Sequence, residues 1–456
     1  MPLRRMLSTA ACFFFIFLAW NGCGPRNERF NVIWVTLDAL RADHLSCYGY
    51  PRPTTPYLDS LAARGVRIDR ALSQAPATKA SVAAMFTSLH PTVHKALHHG
   101  AQGRVGDVLP AEATTLAERF AAAGYLTAGF VSNPHLQETF GFHQGFEVYE
   151  YLSVGPVAKA DKVLNATARW LGREPRVSEE NFFLYIHLMD THFPYEPPEA
   201  HRRLFVAPEL EGQQAVYRNG PMEEPPTDDE LRYLRGLYDG ALHFADDQLR
   251  LFFDRAEAQG LLENTMIVIV ADHGDEFFEH GGLGHGHTLY SELIHVPAIL
   301  VHPDRLPTGY VVRTPVSVVD IGVSLLSMAG IDWEAEMVSG RDITGLLRGK
   351  GDDPVTGPPV LSERGIQRAL IDDSHKYIFR GPKPGNGEKL FDLQGDHGER
   401  ENLLWDEAGE KARMIGEAQE VLARLRALDQ RLGLKKSTAP MPQNTRDQLR
   451  ALGYLE

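Results

Sequence analysis

The chain has 456 residues, of which 43% are apolar and 23% charged. That composition excludes a disordered or fibrous chain and leaves room for one large α/β domain plus a smaller unit. Lys and Arg total 46 against 60 Asp and Glu, a formal net charge of −14, which argues against a nucleic-acid binder, because that needs a basic face, and obliges any site for an anionic substrate to be locally positive.

At the N-terminus, Arg4 and Arg5 precede an apolar run over residues 10–20, and "NGCGP" follows. A short charged region, a short apolar core and small residues predict an export signal over residues 1–23. The run is shorter than the roughly 20 residues of a membrane span. Cys23 stands where bacterial lipoproteins carry their acylated cysteine and resembles a lipobox, with Trp20 and Asn21 in place of the usual small or branched residues. Lipidation of Cys23 with membrane anchoring, plain cleavage and an uncleaved anchor stay open as outcomes. Each predicts an exported protein, periplasmic or on the outer surface. Only Cys12, Cys23 and Cys47 occur, so there is no disulfide framework and the core must carry the stability.

Residues 32–37, 182–189, 266–271 and 298–301 are continuous apolar runs, the pattern of strands buried on both faces. Residues 125–131 form a weaker candidate. Helical patterns lie between them. "TTPYLDSLAARG" places Leu58, Leu61 and Ala62 on one face and stops at Gly65. A longer segment opens with a capping box, Thr227 and Glu230, and carries an apolar stripe through Leu234, Leu237, Tyr238, Ala241 and Leu249. This alternation predicts an α/β fold with a doubly wound, mostly parallel sheet over residues 28–350. Beyond the connector "GDDPVTGPP", "HKYIFR" and "KLFDL" read as a β-hairpin with a long turn, in a small C-terminal α+β subdomain over residues 358–405. A charged helix and a tail occupy residues 406–456.

In open α/β sheets, ligands bind beyond the carboxyl ends of the strands. The first strand ends in "TLDALRAD", giving Asp38; the next apolar run ends in "MDTHFPY", giving Asp190 and His192; the third ends in "ADHGDE", giving Asp272 and His273. Taken singly, an Asp after a strand reads as the cap of the next helix. Caps, however, need neither a histidine nor a common edge. Carboxylates and imidazoles together suit Mn²⁺ or Zn²⁺, and an oxygen-rich site takes Ca²⁺ or Mg²⁺. "EHGGLGHGHTLYSE" adds His280, His285 and His287 in a Gly-rich loop, and "HPTVHKALHHG" adds His94, His98 and His99. In "SQAPATKASVAAMFTSLHP", Thr78 joins a Pro-containing loop to a helix. It reads either as a helix N-cap or as a nucleophile at a helix N-terminus.

These segments resemble the sulfatase branch of the alkaline phosphatase superfamily. The resemblance rests on "NVIWVTLDALRADHLSCYGYPRPTTPYLDSLAARGV", "APATKASVAAMFTSLHPTVH", "YIHLMDTHFPYEPP", "VADHGDEFFEHGGLGHGHTLYSELIHVP" and "HKYIFR…KLFDLQGDHGERENL", which occur in the family's order over nearly the whole exported chain. It implies a divalent metal (Mn, Zn, Ca or Mg, with room for a second ion) held by Asp38, Asp272 and His273, with Thr78 at the nucleophile position and itself a ligand. Asp190 and His192 fall where relatives bind the substrate's anionic group or a second metal. Lys79, His94, His99, His285 and His287 become candidates for binding the anionic ester, and His192 for protonating its leaving group.

Two departures from the family pattern matter. Sulfatases proper convert a Cys or Ser to formylglycine within C/S-x-P/A-x-R, and here the segment reads Thr78-Lys79-Ala80-Ser81-Val82. The paired Asp of the first strand is single, with Ala39 beside Asp38. A Thr in this slot resembles the phosphoester branch, which implies phosphoester hydrolysis or transfer through a covalent Thr78 intermediate. A sulfuric ester hydrolase without formylglycine and a non-catalytic metal-containing binding protein are the two alternatives.

Overall fold

A computed structural model describes residues 29–97, 104–153, 158–216, 219–350, 357–381, 383 and 387–455. The expected export signal, Cys23, His98 and His99 lie outside the described residues. The apolar runs become the centre of an eight-stranded sheet. In chain order its strands are β1 (Asn31–Leu37), β2 (Val66–Ile68), β3 (Leu126–Val131), β4 (Val148–Tyr151), β5 (Phe182–Leu188), β6 (Thr265–Ala271), β7 (Ala298–Val301) and β8 (Tyr310–Val312). Their spatial order is β8-β2-β7-β6-β1-β5-β3-β4. Only β7 runs against its neighbours. Every residue of β3, β5 and β6 is buried, which is why their sequences read as unbroken apolar runs rather than alternating ones.

Helices cover the sheet in two groups. The Thr78–Thr87 helix packs with Leu116–Ala122 and Val318–Met328; Pro56–Arg64 and Ala160–Arg173 pack with the long Asp228–Ala258 helix. The capping box at the start of that helix is formed, with Thr227 and Glu230 each bonding the other's backbone N–H. Leu58, Leu61 and Ala62 are the buried face of the first helix. The sheet is therefore α/β and mostly parallel, as expected.

The register does the positioning. Leu37 of β1 pairs with Leu188 of β5 on one side and Ala271 of β6 on the other. Three parallel strands end level, so the residues that follow them leave the sheet along one edge.

A second sheet of four antiparallel strands, β9 (Val360–Arg364), β10 (Gln367–Ile371), β11 (His375–Arg380) and β12 (Lys389–Asp392), follows. The Ala408–Leu432 helix lays Met414, Ala418, Leu422, Leu425 and Leu428 on it, against Leu361, Leu370, Tyr377 and Leu390. Leu89 and Val93 of the main body share that core, and Ser362 Oγ donates to Ser73 O at 2.5 Å. Past this helix, Ser437–Pro440 pairs antiparallel with Val105–Val108, and a helix over Gln443–Ala451 follows. The tail thus returns to the main body, where the two strands form a separate two-stranded sheet. Leu422 is buried in the second core, so Leu422→Ala should lower stability by about 2–5 kcal/mol, read as a lower urea midpoint with an unchanged slope.

Candidate active site

Asp38 is the first residue beyond β1. Its N–H donates to Leu188 O at 2.9 Å, and its C=O accepts from Thr191 Oγ1 at 2.6 Å. The chain then turns sharply at Ala39, whose φ of +56° is left-handed, a conformation that costs a residue with a Cβ about 1 kcal/mol. Ala39 is held there at both ends: its N–H donates to Asp272 Oδ1 at 3.1 Å and its C=O accepts from Tyr238 OH at 2.9 Å. The turn fixes the Asp38 carboxylate at the sheet edge.

Asp38 Oδ2 accepts from Asn133 Nδ2 at 2.6 Å and lies 3.0 Å from His187 Nε2. Asp272 Oδ1 accepts from the Ala39 and His273 N–H groups, whereas Asp272 Oδ2 is buried without a hydrogen-bond partner. His273 donates through Nδ1 to Gly274 O at 3.0 Å, which leaves Nε2 as a lone pair, 3.6 Å from both Asp38 Oδ1 and Asp272 Oδ2. Gly274 is required here by close approach, since a Cβ would stand 2.1 Å from Glu292 O.

Atoms of Asp38, His187 and Asp272 all lie within 4.8 Å of one another, and all three residues are buried. Burial opposes the ionisation of Asp38, but the His187 hydrogen bond and the nearby imidazoles outweigh it and hold its carboxyl well below the usual range. Asp272 is pushed up, first by burial and then by the charge of Asp38. Burial lowers His273 as well, yet the two carboxylates overcome it and raise its pKa. Two carboxylates and two imidazoles around an orphaned carboxylate oxygen fit a divalent cation. His187, His273, Asp38 and Asp272 would hold it.

Thr78 is the first residue of the Thr78–Thr87 helix. The N-cap is Ala77, whose C=O accepts from Ser81 N at 3.0 Å. The cap reading of Thr78 is therefore replaced: its hydroxyl points at the cluster. Thr78 Oγ1 lies 3.2 Å from His273 Nε2, 3.4 and 3.5 Å from the Asp38 oxygens, 3.5 Å from Asn133 Nδ2 and 3.2 Å from Tyr454 OH. Ser81 Oγ donates to Asp272 O at 2.6 Å and so locks this helix to the Asp272 turn. Val82, at the position of the expected arginine, is buried in the core.

The sulfatase family profile matches residues 30–331. The chain belongs to the sulfatase family. It is 27% identical to human arylsulfatase A over 382 residues, 71% of this chain and 69% of that protein. It is 23% identical to a Δ4,5-hexuronate-2-O-sulfatase of Bacteroides thetaiotaomicron over 426 residues, 83% of this chain and 85% of that one. Among solved structures, a phosphonate monoester hydrolase of Agrobacterium radiobacter superposes with a TM-score of 0.71 at 20% identity, covering 88% of this chain and 96% of that one. Sulfatases typically use a divalent metal, in line with the ligand cluster; relatives act on anionic esters.

Other expected site residues of this sulfatase-family chain divide. His192 Nδ1 donates to Phe193 O at 2.5 Å and His285 Nδ1 pairs with Asp275 Oδ1 at 2.8 Å; the Nε2 of each is buried with no partner. Their rings stand 4.9 Å apart, and His285 is 4.4 Å from the His273 ring. Burial lowers the pKa of both. His285 also lines a cavity of about 280 Å³ with Ala77, Asn219, Arg364 and Tyr454.

The remaining expected residues turn elsewhere. Asp190 is not brought to the cluster: its carboxylate accepts from Ala160 N at 2.9 Å, capping the Ala160–Arg173 helix. Lys79 points away from the cluster, donating to Asp107 O at 3.1 Å with its ammonium 3.6 Å from the Phe140 ring centroid. Burial, opposed by Asp107, pushes it down to about 7. His94 is spent on backbone, Nε2 on Ala80 O and Nδ1 accepting from Ala96 N, both at 3.1 Å. His287 Nε2 is 2.6 Å from Glu276 Oε2.

Three neighbours of Thr78 and Asp38 were not foreseen. Asn133 follows β3 as Asp38 follows β1, so the strand-end rule covers it. His187 is the lone imidazole in an otherwise apolar strand, one residue from its end. Tyr454 carries no local signal.

Burial depresses His94 to about 3, so between its ordinary value near 6.5 and that value the unfolded chain binds a proton that the native chain does not. The stability tied to His94 is present above about pH 6.5 and is lost as pH falls toward 3. His94→Gln should flatten that acid limb in a pH series of denaturant melts, relative to wild type.

Proposed function

We propose that this sulfatase-family chain is a metal-dependent hydrolase or transferase of phosphate esters that works through a covalent Thr78 intermediate. The carrying observation is the placement of Thr78 Oγ1 within 3.2 Å of His273 Nε2 and 3.4 Å of Asp38, at a helix start with no convertible Cys or Ser in its slot.

A divalent metal bound by Asp38, His187, Asp272 and His273 would lower the pKa of a coordinated hydroxyl and offset the charge of an anionic ester. Thr78 releases its proton to solvent water, and its oxygen attacks phosphorus as the bond to the leaving alcohol breaks. The positive end of the helix favours both the alkoxide and the incoming anion. Asn133 holds Asp38 in place through its 2.6 Å hydrogen bond. An anionic ester against His192 favours its imidazolium, and Nε2 then protonates the departing oxygen. Water completes hydrolysis, or an acceptor alcohol completes transfer. The open Nε2 atoms of His192 and His285 support binding of the ester's oxygens. Export and lipid anchoring at Cys23 belong to the same proposal; no described helix is long and apolar enough to cross a membrane.

The likeness to an arylsulfatase and a hexuronate-2-O-sulfatase favours a second reading, cleavage of a sulfate ester, here without formylglycine. The phosphonate monoester hydrolase likeness, at 20% identity, carries the fold alone.

Residues 28–456, loaded with Mn²⁺ or Zn²⁺, should cleave an aryl phosphodiester or phosphomonoester, and Thr78→Ala should lower turnover by at least about 1,000-fold. Aryl sulfate cleavage that survives in Thr78→Ala would overturn the phosphoester scheme and restore the second reading. His187→Ala should weaken metal binding by at least about tenfold, measured as metal per chain by elemental analysis after dialysis against a graded chelator.

A further inference from the structure

The tail beyond the long C-terminal helix reaches the Thr78 cluster. Tyr454 OH lies 3.2 Å from Thr78 Oγ1, across 376 residues of sequence. Its ring is walled by imidazoles, with centroids 4.5 Å from His135, 5.0 Å from His192 and 5.4 Å from His285. No strand end of the main sheet supplies this group.

The tail is anchored along its length. Ser437–Pro440 adds a strand to Val105–Val108. Thr445 Oγ1 donates to Gln137 Oε1 at 3.0 Å, and Gln448 bonds both Tyr151 OH at 2.9 Å and Ser153 Oγ at 2.6 Å. Leu449 and Leu452 are buried. Gly453, at φ +77°, reverses the chain, and Tyr454 N donates to Leu449 O at 2.9 Å. A loose plug would need none of this. The cavity of about 280 Å³ beside Ala77 and His285 is present with Tyr454 in place as one of its walls. The phenol therefore borders the substrate space rather than filling it.

We infer that Tyr454 is a catalytic residue of the proposed reaction, whose hydroxyl donates a hydrogen bond to the Thr78 oxygen at rest and to a non-bridging oxygen of the transferred group during attack. Burial pushes the Tyr454 phenol well above its ordinary range, so it is a neutral donor, suited to steady an oxyanion where the motif carries Val82 in place of a cation. The assignment rests on the Thr78 reading for its kinetic arm, and binding of orthovanadate supplies an arm that needs no turnover.

The test compares metal-loaded wild type with Tyr454→Phe, which keeps the ring and its stacking, and with a chain stopped after Leu452. With an aryl phosphodiester, Tyr454→Phe should lose about 100-fold in kcat with KM within about threefold, at an unchanged melting temperature. Calorimetry should show orthovanadate affinity falling at least about tenfold in both variants. Unchanged kcat and vanadate affinity in Tyr454→Phe would reduce the residue to packing and overturn the inference. Faster turnover in the shortened chain would make the tail an inhibitor and overturn it equally. A wild type that binds vanadate without turning over would remove the covalent mechanism while the affinity comparison still judges Tyr454. A wild type that does neither removes both.

Discussion

Asp38 and Asp272 stand together in a buried site, and nothing in physics lets both carry full negative charge there unless positive charge joins them. Their carboxyls are pushed in opposite directions, one held down by imidazoles and the other raised by burial and by its neighbour's charge. The parallel register of β5, β1 and β6 forces this proximity. Around it the chain is arranged to keep the pair in place: Ala39 is bent into an unfavourable conformation and pinned at both ends, and His273 is turned so that its Nε2 faces the centre.

The Thr78 hydroxyl enters from a different layer. The helix of Thr78 lies over the strand ends and is tied to them by Ser81. Its side chains divide sharply: Thr78 faces the carboxylates, while Lys79, one residue on, faces Asp107. One helical step of about 100° is enough to separate the chemistry of the centre from the packing that supports it. The same separation explains why so many of the histidines near the centre are structural. His94 is spent on backbone and its pKa is lowered by burial, whereas His192 and His285 each keep a buried Nε2 without a partner.

The fold was legible because buried parallel strands have a distinctive composition, and 298–301 matched its observed limits. The reversed direction of that strand was not legible, since an apolar run carries no sign of polarity. Asp38, Asp272 and His273 could be found because each follows a strand. His187 escaped attention by lying one residue inside its strand, where a side chain is ordinarily core. Asp190 shows the opposite case: a carboxylate in the expected place serves the preceding helix, accepting from the Ala160 N–H at its start. The tail was read as a helix with an extension, and its added strand and second helix depend on contacts with residues near 105 and 135. Tertiary contact rather than local pattern decides such segments.

The four groups nearest the Thr78 oxygen come from the start of the chain, its second quarter, its middle and its far end: Asp38, Asn133, His273 and Tyr454. Contacts of such long sequence separation close late in folding, because loop closure must precede any gain from them. The centre is consequently indivisible. Cutting the chain between the main sheet and its tail would take Tyr454 away from the centre and leave its wall incomplete.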